Sequence, residues 1–138
     1  MSEHIPASLR RTVCDRAADR CEYCHLPQKS QEAVFHVDHI LPLAEGGKTI
    51  AKNLALACVT CSLAKAARTV GQDPETGDLA RLFHPRQDQW NQHFEWAMNW
   101  QLIGLTATGR ATIRALRINR PRVVRIRQLL NRLGESLQ

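Results

Sequence analysis

The sequence predicts a small α+β fold built around a β-loop-β-helix core. Two C-x-x-C pairs, the first ending at Cys24 and the second at Cys61, bracket this core. Between them, residues 34–40 are rich in β-branched and aromatic side chains and are broken by Pro42. Good helix formers follow Cys61. The rest of the chain predicts a preceding helix, and then short strands and two C-terminal helices.

Length and composition favour one domain. The chain has 138 residues, of which 43% are hydrophobic, enough for a single core. We divide it into a zinc-stabilised core at 1–70 and an extension at 71–138 packed on that core. No run of roughly 18 apolar residues is present, so no membrane span is expected. The N-terminus lacks a basic start followed by an apolar stretch, which predicts no secretory signal and a cytoplasmic location.

The first predicted helix covers residues 6–18. Leu9, Val13 and Ala17 recur at helical spacing, and Pro6 suits the first turn of a helix. Cys14 lies beside this apolar stripe. We interpret it as a small core residue rather than as a metal ligand.

The predicted core then follows in order. The first strand covers 34–40, and Gly46 and Gly47 continue the loop that Pro42 begins. A second short strand is predicted over 53–57. A helix is predicted from Cys58 or Cys61 through about Arg68, where helix formers dominate.

The extension is predicted from turn residues and helical periodicity. Residues 71–78 contain the Gly, Asp and Pro of turns. Beyond them we predict strands over 79–83 and 100–105 and helices over 108–118 and 120–133, the last ended by Gly134. Four aromatic residues are interpreted as core rather than as base-stacking platforms: Trp90, Phe94, Trp96 and Trp100.

The paired cysteines predict the metal. Four thiolates in a tetrahedron are a preferred zinc environment, and the two pairs supply Cys21, Cys24, Cys58 and Cys61. Reduced cysteines without a metal are the alternative. A closed shell of four sulfurs leaves no position for water, so this zinc is expected to be structural. Any chemistry has to come from the segment between the pairs.

Positive charge is concentrated in the C-terminal part of the chain. The net charge is +6; residues 1–99 hold 11 Lys/Arg against 12 Asp/Glu, whereas residues 100–138 hold 8 arginines and one acid. Such a segment favours a polyanionic partner such as nucleic acid, and a solvated basic face is the alternative. Arg110, Arg114 and Arg117 recur at helical spacing suited to contacts with a DNA backbone.

The short segment from His36 to His39 places two histidines beside Asp38. On a strand His36 and Asp38 share a face, so both are candidates to approach one cation. A neutral imidazole is a good base near pH 7, and a carboxylate suits a hard ion such as magnesium or manganese. With a basic surface, this set favours hydrolysis of a phosphodiester, in which His39 takes a proton from water.

These residues resemble the HNH endonucleases that carry a four-cysteine zinc site, and the resemblance covers about residues 10–70. It rests on Cys21-x-x-Cys24, Asp38-His39-Ile40-x-Pro42, Gly46-Gly47, Asn53-Leu54, Cys58-x-x-Cys61 and Lys65. Residues 73–77, 82–86 and 109–112 also resemble a group of small bacterial HNH proteins. The resemblance implies a ββα-metal core.

The resemblance also implies roles for individual residues. His39 would be the general base, Asp38 a ligand of the catalytic divalent ion, and Asn53 the residue that braces the loop carrying His39. The family usually has His or Asn where this sequence has Ser62. Three alternatives stay open: Ser62 holds the metal through a water, His36 supplies the missing ligand, or the site is impaired.

Two basic residues follow Ser62 on the predicted helix. Lys65 is a near neighbour of Ser62 at helical spacing, and Arg68 lies one turn further. Both are expected to be able to reach phosphate beside the site, with an exposed helix charge as the alternative.

The sequence therefore predicts a metal-dependent HNH endonuclease acting on DNA, with structural zinc and catalytic magnesium or manganese. The alternative is a zinc-stabilised DNA-binding module whose nuclease site is impaired by Ser62. An RNA substrate stays open beside DNA, and no membrane partner is expected.

Overall fold

The computed structural model describes residues 4–137 of the chain. Its elements in chain order are α1 (Ala7–Arg16), β1 (His36–His39), β2 (Leu54–Ala57), α2 (Val59–Lys65), β3 (Val70–Gln72), β4 (Leu79–Arg81), α3 (Trp90–His93), β5 (Phe94–Trp96), β6 (Leu102–Gly104), α4 (Ala107–Leu116) and α5 (Pro121–Arg132). The strands form three separate antiparallel pairs: β1 with β2, β3 with β4, and β5 with β6. The predicted α+β class is confirmed.

The β1–β2 hairpin is the part of the fold that positions the candidate site. Its register pairs His36 with Ala57 and His39 with Leu54. Arg16, at the end of α1, donates to the carbonyl of Leu54 over 2.7 Å and to that of Ala51 over 2.9 Å. Because all of β2 is buried, these bonds attach α1 to a rigid strand.

Helix α2 follows β2 directly, with Cys58 as its N-cap. The Cys58 sulfur accepts a hydrogen bond from the backbone N–H of Cys61 over 3.5 Å, satisfying a donor that the first helical turn leaves free. The helix ends at Ala66, whose φ of 49° is a left-handed value. The predicted β-loop-β-helix order is therefore present.

The remaining strands and helices pack on one shared core. Buried side chains from both parts of the chain, among them Leu54, Phe83, Phe94 and Leu116, belong to a single hydrophobic cluster. The division at residue 70 falls at the first residue of β3. The two-part organisation stays a prediction.

The structure differs from the predictions at several short elements. Residues 71 and 72, where we predicted a turn, belong to strand β3, and neither α3 nor β5 was predicted. Leu129 and Leu133, both within the predicted last helix, are 53% and 72% exposed. Among the described residues, no helix has the length and apolar character needed to cross a membrane.

Candidate metal centre and active site

The four paired cysteines converge in the interior. Their sulfur atoms all lie within 4.8 Å of one another, and those of Cys24 and Cys58 are 3.7 Å apart. Zinc–sulfur bonds of about 2.3 Å in a tetrahedron place the sulfurs about 3.8 Å apart, so the cluster fits a zinc ion. Cys21 and Cys58 also accept N–H···S bonds from Cys24 and Cys61, each over 3.5 Å.

Burial and hydrogen bonding act differently on the four thiols. Burial raises the pKa of the Cys21 thiol, whereas hydrogen bonds from its cysteine neighbours lower the pKa of Cys58. Burial alone opposes deprotonation of the four thiols. A divalent ion bound between them would stabilise all four thiolates together. The four cysteines therefore form a candidate site for a structural metal such as zinc. Cys14 lies outside the cluster and packs against the core, in accord with its interpretation as a core residue.

The candidate catalytic residues lie on β1 and α2. Asp38, His39 and Ser62 line one cleft of about 310 Å³, together with residues of the loop after β1. His36 is exposed, and its Nδ1 atom lies 2.8 Å from the Ser62 hydroxyl oxygen. The hairpin and the helix thus bring His36 to Ser62, and Ser62 to the cleft that contains Asp38 and His39.

The comparisons with known proteins agree with this geometry. Residues 21–68 match the family model described as HNH endonuclease. This segment is an HNH domain. Comparisons with curated proteins and with solved structures gave no match. The HNH domain indicates a nuclease-type or DNA-binding family, and it contains both the cysteine cluster and the cleft.

Asn53 connects the two ends of the loop after β1 in the HNH domain. Its side-chain oxygen accepts from the backbone N–H of Leu41 over 2.9 Å, and its amide nitrogen donates to the carbonyls of Leu41 and Lys48, each over 3.0 Å. Gly47 packs against the same place: a Cβ atom there would lie 1.8 Å from the Leu41 carbonyl oxygen. The loop that follows His39 is therefore held in one conformation.

We expect Asn53→Ala to loosen this loop and to lower the free energy of unfolding by about 1–3 kcal/mol, because three hydrogen bonds are lost. Chemical denaturation of the zinc-loaded protein measures the change. Lys52→Ala, at an exposed neighbouring residue, is the control and should change the free energy of unfolding little. Equal stability of Asn53→Ala and wild type would contradict the bracing role.

Thr49 contacts His39 in the cleft, and the sequence did not suggest this contact. Its hydroxyl oxygen lies 2.8 Å from Nε2 of His39, ten positions earlier in the chain. A threonine in a polar loop has no distinguishing pattern. Only the folded loop shows that Thr49 fixes one ring nitrogen of His39.

Three or more His, Cys, Asp or Glu side chains converge at one place only among residues 4–137, and that place is the cysteine cluster. His36, Asp38 and His39 therefore do not form a second such group. A cation in the cleft would need Asp38 together with the Ser62 hydroxyl, water or a phosphate oxygen, which are ligands that magnesium and manganese accept.

Lys65 does not fit the phosphate contact that we expected. It is only 2% exposed, and its ammonium group donates to the carbonyl of Ile40 over 3.1 Å. Burial lowers the pKa of Lys65, while the nearby carboxylates of Asp38 and Glu45 act in the opposite direction. The Lys65 ammonium group is therefore bonded to the chain just after β1 instead of facing solvent.

The arginines that we expected to contact nucleic acid differ in their surroundings. Arg110 makes paired hydrogen bonds of 2.9 Å to the buried carboxylate of Asp73, so its guanidinium group holds α4 to the turn before β4. This ion pair does not fit a free phosphate contact. Arg68 is exposed but donates to the carbonyls of Ala64 and Ala115. Arg114 and Arg117 are exposed on and directly after α4.

Proposed function

We propose that this protein is a metal-dependent HNH endonuclease that hydrolyses DNA phosphodiester bonds by nicking or double-strand cleavage. The observation that supports it is the shared cleft of Asp38, His39 and Ser62 within an HNH domain. The cleft combines a base, a carboxylate and a hydroxyl, which is the donor set required for cation-assisted attack of water on a phosphate.

His39 is the proposed general base, and Thr49 holds one of its ring nitrogens. The Thr49 hydroxyl oxygen lies 2.8 Å from Nε2. In the tautomer proposed here, Nε2–H donates to that oxygen, and Nδ1 is unprotonated and able to accept a proton from water. The brace at Asn53 keeps the following loop in place, so that the imidazole does not need to be reoriented during the reaction.

Asp38 is the proposed anchor for magnesium or manganese, with Ser62 contributing through its hydroxyl or a water. The cation would supply stabilisation of the charge that develops on the phosphate and on the leaving oxygen. His36 acts on this site through Ser62, since its Nδ1 atom and the hydroxyl are 2.8 Å apart. If Nδ1 of His36 bound the cation directly, it would have to give up that hydrogen bond with Ser62.

DNA is the proposed substrate because exposed arginines remain free after the ion pairs are counted. Arg114, Arg117, Arg122, Arg125 and Arg132 are exposed in the C-terminal part of the chain. Contacts from such residues to phosphates give affinity that falls with salt and little sequence preference. RNA offers the same phosphate chemistry and serves as the comparison substrate.

A zinc-stabilised DNA-binding module with an impaired nuclease site is the second candidate. Two observations favour it: Ser62 stands where the family usually has His or Asn, and no three-ligand group of His, Cys, Asp or Glu lies at the cleft among the described residues. This candidate predicts salt-sensitive DNA binding without cleavage in any cation.

The Asp38→Asn variant tests the proposed cation site. Removing one negative charge while preserving the shape should raise the manganese concentration for half-maximal nicking by about tenfold or more, because the carboxylate is the charged ligand. Initial nicking rates of supercoiled plasmid across a manganese titration give this value. Binding to DNA in EDTA is the internal control and should equal that of wild type.

Two outcomes would contradict the assignment of Asp38. An unchanged manganese dependence in Asp38→Asn would place the cation elsewhere. Absence of nicking by zinc-loaded wild type at every manganese and magnesium concentration, with binding intact, would favour the binding module.

A further inference from the structure

A second cavity, called the side pocket below, lies beside the cleft of Asp38, His39 and Ser62. Ile40 and Leu41 line the side pocket, whereas the residues directly before and after these two line the cleft. Consecutive Cα atoms are about 3.8 Å apart, so the Cα atoms of His39 and Leu41 are separated by no more than about 8 Å. That distance spans about two nucleotide steps of a strand, which rises about 3.4 Å per nucleotide.

The side pocket is small and is built by both parts of the chain. Its volume is about 190 Å³, below the range of about 300–1,000 Å³ that is usual for drug-sized ligands. The segment after β4 closes it with Leu82 and Phe83, which are buried, as is Ile40 of the HNH domain. Leu41 is 40% exposed and places one edge of the pocket at the surface. Such walls suit a compact group with apolar faces.

Lys65 contributes a buried positive charge to the lining of the side pocket. The residue is only 2% exposed, and its ammonium group carries three donors, of which one bonds the carbonyl of Ile40 over 3.1 Å. Across residues 4–137, the ammonium group has no other hydrogen-bond partner, and no carboxylate oxygen lies within 4.0 Å of it. Two donors of a buried cation are therefore left for a ligand.

His84 contributes a second donor, and the fold fixes its tautomer. The Nδ1 atom accepts from the backbone N–H groups of Arg86 and Gln87, each over 3.2 Å. Burial lowers the pKa of His84, so its ring is neutral near pH 7 and carries its proton on Nε2. In the part of the chain that the structure describes, Nε2–H has no hydrogen-bond partner. The backbone N–H of His84 donates to Asp88 over 2.9 Å, which holds the residue in place.

We propose that the side pocket binds an unpaired guanine base of the nucleic-acid strand whose phosphate lies in the cleft. The two groups without partners, the Lys65 ammonium and the His84 Nε2–H, are donors, so the ligand has to present acceptors. Guanine presents O6 and N7 on one edge, whereas adenine presents a donor beside N7. A base enters such a pocket only after leaving the stack, and this costs least where the base is unpaired.

The inference rests on the proposed function, because either the nuclease or the binding module places a strand in the cleft. It adds a preference for the base and for the structure of the substrate, which exposed arginines do not provide. It also gives the segment after β4 a role in substrate binding, although that segment lies outside the HNH match at residues 21–68.

The test measures binding instead of cleavage. Full-length, zinc-loaded protein is titrated against a fluorescent DNA duplex with one unpaired guanine, without added magnesium or manganese. Unpaired adenine, cytosine or 7-deazaguanine replaces that guanine in three comparison duplexes. We expect the guanine duplex to bind about tenfold more tightly than the adenine duplex. 7-Deazaguanine keeps O6 but has a carbon in place of the N7 acceptor, and it should lose most of this preference.

Three variants assign the preference to the side pocket. His84→Asn keeps a side-chain acceptor for the two backbone N–H groups and removes the Nε2–H donor. Lys65→Met keeps the length of the side chain and removes the ammonium group. We expect each of these to reduce the ratio of guanine to adenine affinity to about twofold or less. Lys52→Met removes the same charge at an exposed position and should keep the tenfold ratio.

The failure of this inference is distinguishable from the failure of the proposed function. Equal affinity of wild type for all four unpaired bases, with salt-sensitive binding retained, would overturn the inference alone. A guanine preference that His84→Asn and Lys65→Met both keep would place the base elsewhere and would overturn it as well. Absence of binding to every duplex would contradict the proposed function and the inference together. If Lys65→Met is recovered without zinc, the result for His84→Asn decides.

Discussion

Cys61→Ser is expected to leave the HNH domain without zinc and without its native fold. Cys61 is fully buried and supplies one of four converging sulfurs. A structural zinc contributes about 10–16 kcal/mol in small zinc domains, whereas an entire domain is stable by only about 5–15 kcal/mol. The free energy lost when zinc no longer binds is therefore larger than the free energy of unfolding that the core alone provides. Zinc content and the thermal unfolding transition, followed by circular dichroism, measure the result.

The fifth cysteine provides the matched control. Cys14 is partly buried in α1 and lies outside the cluster. Cys14→Ser removes a thiol from the same protein and should keep one zinc per chain with a cooperative transition. A Cys61→Ser protein that unfolds at the wild-type temperature would show that the cluster does not hold the fold together.

His39→Ala is expected to lower the rate of plasmid nicking by about 10²–10⁴-fold, the usual contribution of a general base. The effect should fall on the chemical step, because His39 is bonded to Thr49 and lines the cleft but is not part of the cysteine cluster. Initial rates at saturating manganese and under enzyme excess measure it. Zinc content should equal that of wild type.

His4→Ala is the control for this substitution, since His4 is exposed near the N-terminus. It should nick plasmid at the wild-type rate. A His39→Ala protein that keeps more than about a tenth of wild-type activity would remove His39 from the role of base. The water would then have to be activated by another group.

Much of the core could be predicted because its signals are local. The strand over 36–39 and the helix from Val59 follow from β-branched residues, helix formers and the Pro42 break. The three-residue strands could not be predicted in the same way. Phe94 and Gly104 pair across a ten-residue separation, and β3 exists because β4 pairs with it. Tertiary contacts decided these elements, not local preference.

The spacing of the cysteines predicted the candidate metal site. No pattern in the sequence predicted the surroundings of the basic residues. Two C-x-x-C turns bring their sulfurs together wherever the chain between them folds back. Helical spacing placed Arg110 on a row with Arg114, but Arg110 is paired with Asp73, 37 positions away. Arg127, in α5, has the same side chain and is fully buried, although no sequence signal predicts its burial. Which arginines are free is a property of the folded molecule.

The most direct test of the proposed function is cleavage of supercoiled plasmid by zinc-loaded wild type in EDTA, magnesium and manganese. Zinc is quantified in each sample after the reaction, so that loss of fold is separated from loss of the catalytic cation. The proposal predicts open-circular or linear product with magnesium or manganese and none with EDTA. Intact plasmid in every cation, while the protein keeps its zinc and binds the DNA in a salt-sensitive way, would contradict it.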